Sequence, residues 1–395
     1  MNIFLFFTNK LNLSIVALLQ SGDMFMIIGT FIFSFIVVAI IIPIFISLAI
    51  KYKITDKPNQ RKVHDNPIPT LGGVAIFIGS IVSFLLFIGI EIDINHVVLL
   101  AALTLLFATS IVDDLIELSA LKRFLIQIIS ASLIFLVGFR FNSLLGLFGV
   151  YEVPLLVQYF LTIFWVVFIV NAINLIDGID GLAGGLSLVA SFVLSCFLFI
   201  KSDMIFALLG FALSGSILAF LKYNFNPAKI FMGDTGSVLI GFLISVLVMR
   251  VMNGVSHSNM IFSDSMMTKV SFSVILVPVY DAIRVSVLRI KNKKNPFSAD
   301  QTHIHHLLLK TGFNHKRSAV ILYISNILVI ASAFLFSYLS TTVFVVFIIC
   351  EAVFLTELLN LKHILNLNIK NKTLSIEFKM LEKQNYLVSK QLQKF

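Results

Sequence analysis

Charge is scarce in this sequence. Only 12% of its 395 residues are charged, while 58% are hydrophobic and the mean hydropathy is +1.01. A soluble domain of this length could not cover so much apolar surface with so few polar side chains, which excludes that class. Cysteine is nearly absent as well. Cys196 and Cys350 both lie inside long apolar runs, so disulfides, thiolate metal sites and redox chemistry have no support, and the pair reads as apolar filler. The opening "MNIFLFFTNKLNLSIVALLQ" is interrupted by Thr8, Asn9 and Lys10 and lacks a clear small-residue cleavage site. Residues 1–23 therefore read as an interfacial N-terminal segment, not a removed signal peptide.

Apolar runs, by contrast, are abundant. Stretches near the roughly 18–25 residues that span a bilayer fall at about 24–50, 71–90, 96–112, 122–139, 154–171, 182–200, 204–221, 236–251, 270–290, 319–339 and 341–361. They predict an all-α, polytopic integral membrane protein with about 10–11 transmembrane helices. A transmembrane catalytic domain would cover 24–361 and a cytoplasmic basic tail 362–395. That tail carries seven Lys and two Glu. It reads as an amphipathic helix on an anionic leaflet, a short coiled coil, or a solvated helix that reinforces topology.

The net charge of +9 would suggest nucleic acid in a soluble protein, but here its placement carries the meaning. With the N-terminus outside, 23 of the 29 Lys and Arg fall on the inner side, five on the outer side, and Arg284 within a span. The positive-inside rule then predicts the N-terminus outside and the C-terminus in the cytoplasm of a multi-pass protein of the inner membrane, with no nucleic-acid partner.

On that topology every unusual polar segment lands inside. These are "SIVDDLIELSALKRFLIQ" with Asp113, Asp114, Lys122 and Arg123; "NAINLIDGIDGLAGG" with Asn171, Asn174, Asp177 and Asp180; "KYNFNPAKIFMGDTGS" with Asp234; and "RIKNKKNPFSADQTHIHHLLLKTGFNHKR" with His303, His305 and His306. A transporter is expected to hold its polar site near the bilayer midplane. Acids gathered at one face favour an enzyme working at the membrane surface. Asp281 and Arg284, one turn apart and deeper, read either as an i,i+3 ion pair or as part of a catalytic site.

Acids arriving from three separate connections would repel one another unless a cation or protons were shared. Oxygen donors without thiols suit Mg²⁺, with Mn²⁺ as the alternative, and Mg²⁺ takes one or two protein oxygens while phosphates and water complete its shell. A phosphorylated substrate is implied, with basic residues as counter-charges. The "HIHH" cluster would suit zinc or, with no cysteine near and Lys and Arg beside it, donation to a diphosphate. Asn171, Asn174, Asp177 and Asp180 recur every three residues and so drift about 60° per step on a helix. Asn171 to Asp177 could share a face, and the glycines predict that the helix ends and the chain turns near Asp177 to Gly181.

These ordered motifs, across roughly residues 50 to 320, resemble the polyprenyl-phosphate N-acetylhexosamine-1-phosphate transferases of the MraY/WecA superfamily. His-Ile-His-His in place of three adjacent histidines is closer to the WecA/TagO branch, which transfers N-acetylglucosamine 1-phosphate, although Gln301 stands where that branch usually carries a basic residue. The resemblance implies transfer of a sugar 1-phosphate from a UDP-N-acetylhexosamine to undecaprenyl phosphate with release of UMP, and a homodimer as one assembly. It implies that Asn174 and Asp234 form the metal side, that Asp180 contacts uracil, and that Lys122, Arg123 and His303 to His306 contact the diphosphate or lipid phosphate. Asp113 and Asp114 match an acidic pair that acts as base or as positioner of the lipid phosphate; Asp177 joins the catalytic set, and Asn171 the substrate-binding set. Alternatives are another UDP-sugar, carrying N-acetylgalactosamine, a diamino sugar or phospho-N-acetylmuramyl pentapeptide, and a lipid or nucleotide-sugar transporter.

Overall fold

The computed structural model describes residues 22–52, 55–56, 68–89, 92–116, 118–253, 262–293 and 302–358. The expected N-terminal segment, apart from its last two residues, the basic tail and Gln301 lie outside them. Among the described residues thirteen helices run in order: α1 (Gly22–Tyr52), α2 (Gly72–Phe87), α3 (Ile94–Ile116), α4 (Ala120–Leu136), α5 (Leu155–Ile176), α6 (Leu182–Ile200), α7 (Met204–Asn224), α8 (Gly233–Asn253), α9 (Asp264–Ser273), α10 (Leu276–Lys291), α11 (Ile304–Lys310), α12 (His315–Leu335) and α13 (Thr341–Leu358). Two small antiparallel ribbons interrupt them, β1 (Thr55–Asp56) with β2 (Ile68–Pro69), and β3 (Ser143–Leu147) with β4 (Val150–Glu152). Eight of the described helices are long and apolar enough to cross a bilayer, nine if α9 and α10 form one bent span. The protein is a polytopic, all-α membrane protein.

Burial sets which helix is central. In α8, 89% of the most apolar window is buried, against 17% in α1. A helix that is apolar all round belongs inside a bundle, and α8 packs against α2, α3, α5 and α6. α1 instead turns Ile28, Ile32, Ile36, Ile40 and Ile44 outward, the ridge expected of a lipid-facing helix. The first residue of α8 therefore opens at the middle of one end of the bundle. Glycine makes the tightest contact there: a Cβ on Gly73 of α2 would lie 2.1 Å from the backbone nitrogen of Gly236. The opposite end is stapled by the buried Lys201, which donates to the Val251 carbonyl at 2.7 Å and pairs with Asp264 at 2.8 Å.

One expected span needs correction. The run 270–290 is not a single helix; α9 and α10 meet at a 52° bend. Pro278 explains it, because it lacks an N–H for the carbonyl four residues back, that of Val274, and its ring crowds that carbonyl. The fully buried Asn326 of α12 supplies the missing donor to the Val274 carbonyl at 3.3 Å. Cys196 and Cys350 lie in α6 and α13 as free thiols.

Candidate active site

The turn between α5 and α6 organises one end of the bundle. α5 stops at Ile176, Asp177 is its C-cap, and Gly181 enters α6 with φ of +78°, a left-handed conformation that glycine adopts without strain. The sequence expectation that the helix breaks between Asp177 and Gly181 holds. Neighbours then lock the turn from three sides. Asn224 at the end of α7 accepts the Gly181 N–H at 2.9 Å, Tyr323 of α12 donates its hydroxyl to the Gly181 carbonyl at 2.6 Å, and His305 of α11 lies against Gly178.

The three-residue spacing distributes its side chains as the drift requires. Asn171 donates to Gln127 of α4 at 2.8 Å and to the Val167 carbonyl at 2.7 Å, and so points away from the acids. Asn174, 60° further round, donates to Asp234 and to Ser237 of α8, both at 2.8 Å. Asp180 turns to the α7–α8 connection: its Oδ2 accepts from Asn226 at 2.8 Å and the Ala228 N–H at 3.1 Å, and its Oδ1 lies 3.5 Å from His315. Burial raises its pKa, but the neighbouring His315 and the hydrogen bonds from Asn226 and the Ala228 N–H more than offset that and hold the carboxyl below its ordinary value.

Asp113 and Asp114, adjacent in sequence, do different work. Asp114 accepts the Asp234 N–H at 2.9 Å, the Thr235 N–H at 3.2 Å and the Thr235 hydroxyl at 2.6 Å. It caps the first turn of α8 from another helix and satisfies donors that have no partner within α8. Gly233 makes room for it, with φ of +70° and a would-be Cβ 2.9 Å from the carboxylate. Asp113, buried, accepts the Leu118 N–H at 2.6 Å and pairs with Arg123 at 3.3 Å. Arg123 also reaches Asp234 at 3.1 Å, so one guanidinium serves two carboxylates. Lys122 is exposed in the first turn of α4, and its side chain forms no ion pair among the described residues.

Asp177 stands apart: no group among the described residues donates to its carboxyl. Although the residue is partly accessible, the packing around the carboxyl, together with the charges of Asp234 and Asp180, pushes its pKa up to about 7. Such uncompensated negative charge between two other carboxylates suits a divalent cation. No three His, Cys, Asp or Glu side chains converge as a ready-made cage among the described residues, and Mg²⁺ rarely needs one when substrate phosphates complete its shell.

The histidines complete the rim. His303 and His305 stack with ring centroids 5.6 Å apart, and His305 meets His306 at 4.3 Å. His305 is buried, and both its ring nitrogens lack a hydrogen-bond partner among the described residues. Burial, then the nearby charges of His306, His303 and His315, drive its pKa well down, so it is neutral near pH 7. Sequence reasoning missed Gln127, Asn224, Asn226, Thr235, Ser237, His315 and Tyr323, all of which brace the site. Each is an ordinary polar residue whose partner lies on another element, so local spacing carries no signal for it.

Gly178 offers a direct test of this packing. A Cβ there would lie 2.2 Å from His305 Nε2 and 2.7 Å from its Cε1. Gly178→Ala is expected to displace the imidazole by about 1 Å and to reduce turnover by about 100-fold, the order of loss such misplacement causes. Activity of the purified variant beside its thermal unfolding checks this, the melting temperature changing little.

Comparison with known proteins agrees with this geometry. The model for glycosyl transferase family 4 matches residues 96–252, the stretch that carries all the site carboxylates from Asp113 to Asp234. The chain is 34% identical over 318 residues to a probable undecaprenyl-phosphate N-acetylglucosaminyl 1-phosphate transferase of Bacillus subtilis, covering 78% of this chain and 85% of the relative. It is 32% identical over 283 residues to the undecaprenyl-phosphate alpha-N-acetylglucosaminyl 1-phosphate transferase of Salmonella typhi, covering 70% and 74%. It is 30% identical over 299 residues to a decaprenyl-phosphate N-acetylglucosaminephosphotransferase of Mycolicibacterium smegmatis, again covering 70% and 74%. A helical membrane bundle with a polar, acid-rich site at one end is the architecture of an enzyme that works at the membrane surface. The chain belongs to the polyprenyl-phosphate N-acetylhexosamine-1-phosphate transferase family, on its WecA/TagO side.

Proposed function

We propose that this protein transfers N-acetylglucosamine 1-phosphate from UDP-N-acetylglucosamine to undecaprenyl phosphate, releasing UMP, with Mg²⁺ and at the cytoplasmic face of the inner membrane. The observation that carries the reading is the convergence of Asp234, Asn174, Arg123 and Asp177, whose carboxyl has no donor among the described residues, at one end of a bundle whose relatives are named for this transfer. The excess of Lys and Arg on the connections at that end supports the orientation.

Asp177 and Asp234 would hold the cation, with the Asn174 carboxamide beside them; bound there, Mg²⁺ would neutralise charge on the diphosphate and the departing UMP. The chain's own residues do the rest. Arg123 places a guanidinium between Asp113 and Asp234, where a phosphoryl oxygen can exchange with either carboxylate. Asp180 is held by three partners at the far side of the turn, in position for the base of the nucleotide. A phosphate monoester has its second pKa near 6, so the lipid phosphate is already largely a dianion at neutral pH. Asp114, occupied by three donors, is not needed as a base, which favours direct attack of the lipid phosphate over a covalent aspartyl intermediate.

A donor screen with purified protein, Mg²⁺ and polyprenyl phosphate tests the sugar assignment. UMP release is expected to be at least about tenfold faster from UDP-N-acetylglucosamine than from UDP-N-acetylgalactosamine, a UDP-diamino sugar or UDP-N-acetylmuramyl pentapeptide, since contacts to a single hydroxyl discriminate by that order or more. Preference for another donor would overturn the sugar and leave the reaction type standing.

A further inference from the structure

Asp281 lies on α10, beyond the acids of the α3, α5 and α8 ends, and no step above uses it. It is 1% exposed, yet every polar contact it makes among the described residues leads to the histidine segment. Its Oδ2 is 2.8 Å from His303 Nδ1. Its Oδ1 accepts the Ile304 N–H at 2.9 Å, in the first turn of α11, and the Arg284 guanidinium at 3.3 Å. Arg284 in turn donates to the Thr302 carbonyl at 3.0 Å. The i,i+3 ion pair read from the sequence is present, but it is one contact of four. The pair grips the three residues Thr302, His303 and Ile304 that open α11.

A carboxylate beside Arg284 accepts hydrogen bonds and donates none, so His303 Nδ1 must carry the hydrogen. That fixes the tautomer and the plane of the ring and leaves Nε2 as the nitrogen available to a substrate oxygen. The stack of His303 on His305, with planes 11° apart, fixes the ring from its face as well. The carboxylate lies on α10, just past Pro278 and the 52° bend that starts α10 in a direction different from α9. We propose that Asp281 is a positioning residue for the transfer reaction. It holds His303 with Nδ1 protonated and the ring plane fixed, so that Nε2 is the nitrogen presented to the substrate, while Arg284 secures the backbone of the same segment. Outer groups that orient a ligating or catalytic histidine in this way are worth about 10- to 100-fold when removed. This role rests on the sugar-phosphate transfer proposed above.

Asp281→Asn separates orientation from scaffolding. Its carbonyl oxygen can still accept the Ile304 N–H, so the start of α11 is kept, while its NH₂ faces His303 and forces Nδ1 to accept, which moves the ring hydrogen to Nε2 and reverses what the imidazole presents to the substrate. UMP release by the full-length protein, with UDP-N-acetylglucosamine, polyprenyl phosphate and Mg²⁺, would be measured for wild type, Asp281→Asn, His303→Ala and the double variant. The expected result is a kcat about 10- to 100-fold lower for Asp281→Asn, with KM for the UDP-sugar within about threefold, and a double variant no slower than His303→Ala alone, because a residue acting through another adds nothing once that other is gone. An Asp281→Asn enzyme within twofold of wild type, or losses that multiply in the double variant, would overturn the role. So would a kcat loss accompanied by an equal loss of folded protein in a thermal melt, which marks a purely structural contact. Wild-type protein that releases no UMP would instead overturn the transfer reaction itself, and this role with it.

Discussion

Asp234→Asn is expected to lower kcat for UMP release by about 10²–10³-fold while the bundle stays folded. The first turn of α8 is held through the backbone N–H of residue 234, which Asp114 accepts whatever side chain follows. The side chain has other work. Its two oxygens accept from Asn174 and from Arg123, and both partners can only donate at those atoms. An amide offers one acceptor, so whichever way it is flipped, an NH₂ group meets a donor. The charge that would help hold a divalent cation beside Asp177 is lost at the same time. Loss of one preorganised electrostatic contact at a transfer site typically costs that much in turnover. Steady-state kinetics across a Mg²⁺ titration, read beside a thermal melt, checks the prediction. A kcat within tenfold of wild type would contradict it.

Asp114→Ala is expected to act on stability first and to lower activity as a consequence. The change would strip three hydrogen bonds from the start of the most buried helix and leave two backbone N–H groups and a hydroxyl without their acceptor. Unsatisfied buried donors cost about 1–3 kcal/mol each, so a net loss of about 3 kcal/mol is expected once some relaxation is allowed. Asp113→Ala, which removes the Arg123 pairing and one loop contact, is expected to destabilise less and to impair turnover with folded protein intact. Melting temperatures of the two variants, each beside its kcat, separate the roles. Equal melting temperatures would show that the two acids share one function.

Much of this was legible locally. The apolar runs marked the helices, the glycines after Asp177 marked the end of α5, and Pro278 carried a signal for the bend between α9 and α10 that hydropathy alone conceals. What could not be read was which partner each polar side chain would choose. Adjacent residues on a helix point about 100° apart, so Asp113 faces Arg123 and the α3–α4 turn while Asp114 faces α8, and nothing in the DD dipeptide says which is which. Asn171 and Asn174 look equivalent in their repeat, yet only the second reaches Asp234. Asp281 and His303 meet across 22 positions of sequence, a contact that local spacing does not report. Spacing reports faces; partners follow from packing.

The most direct test of the central claim is the stoichiometry and dependence of UMP release. Purified protein in vesicles would be given UDP-N-acetylglucosamine, with Mg²⁺ and undecaprenyl phosphate each supplied or withheld. The account predicts one UMP per lipid-linked diphosphate sugar formed, and neither product when Mg²⁺ or lipid phosphate is missing. UMP released without the lipid, or intact UDP-sugar carried across the vesicle membrane with no UMP formed, would contradict it.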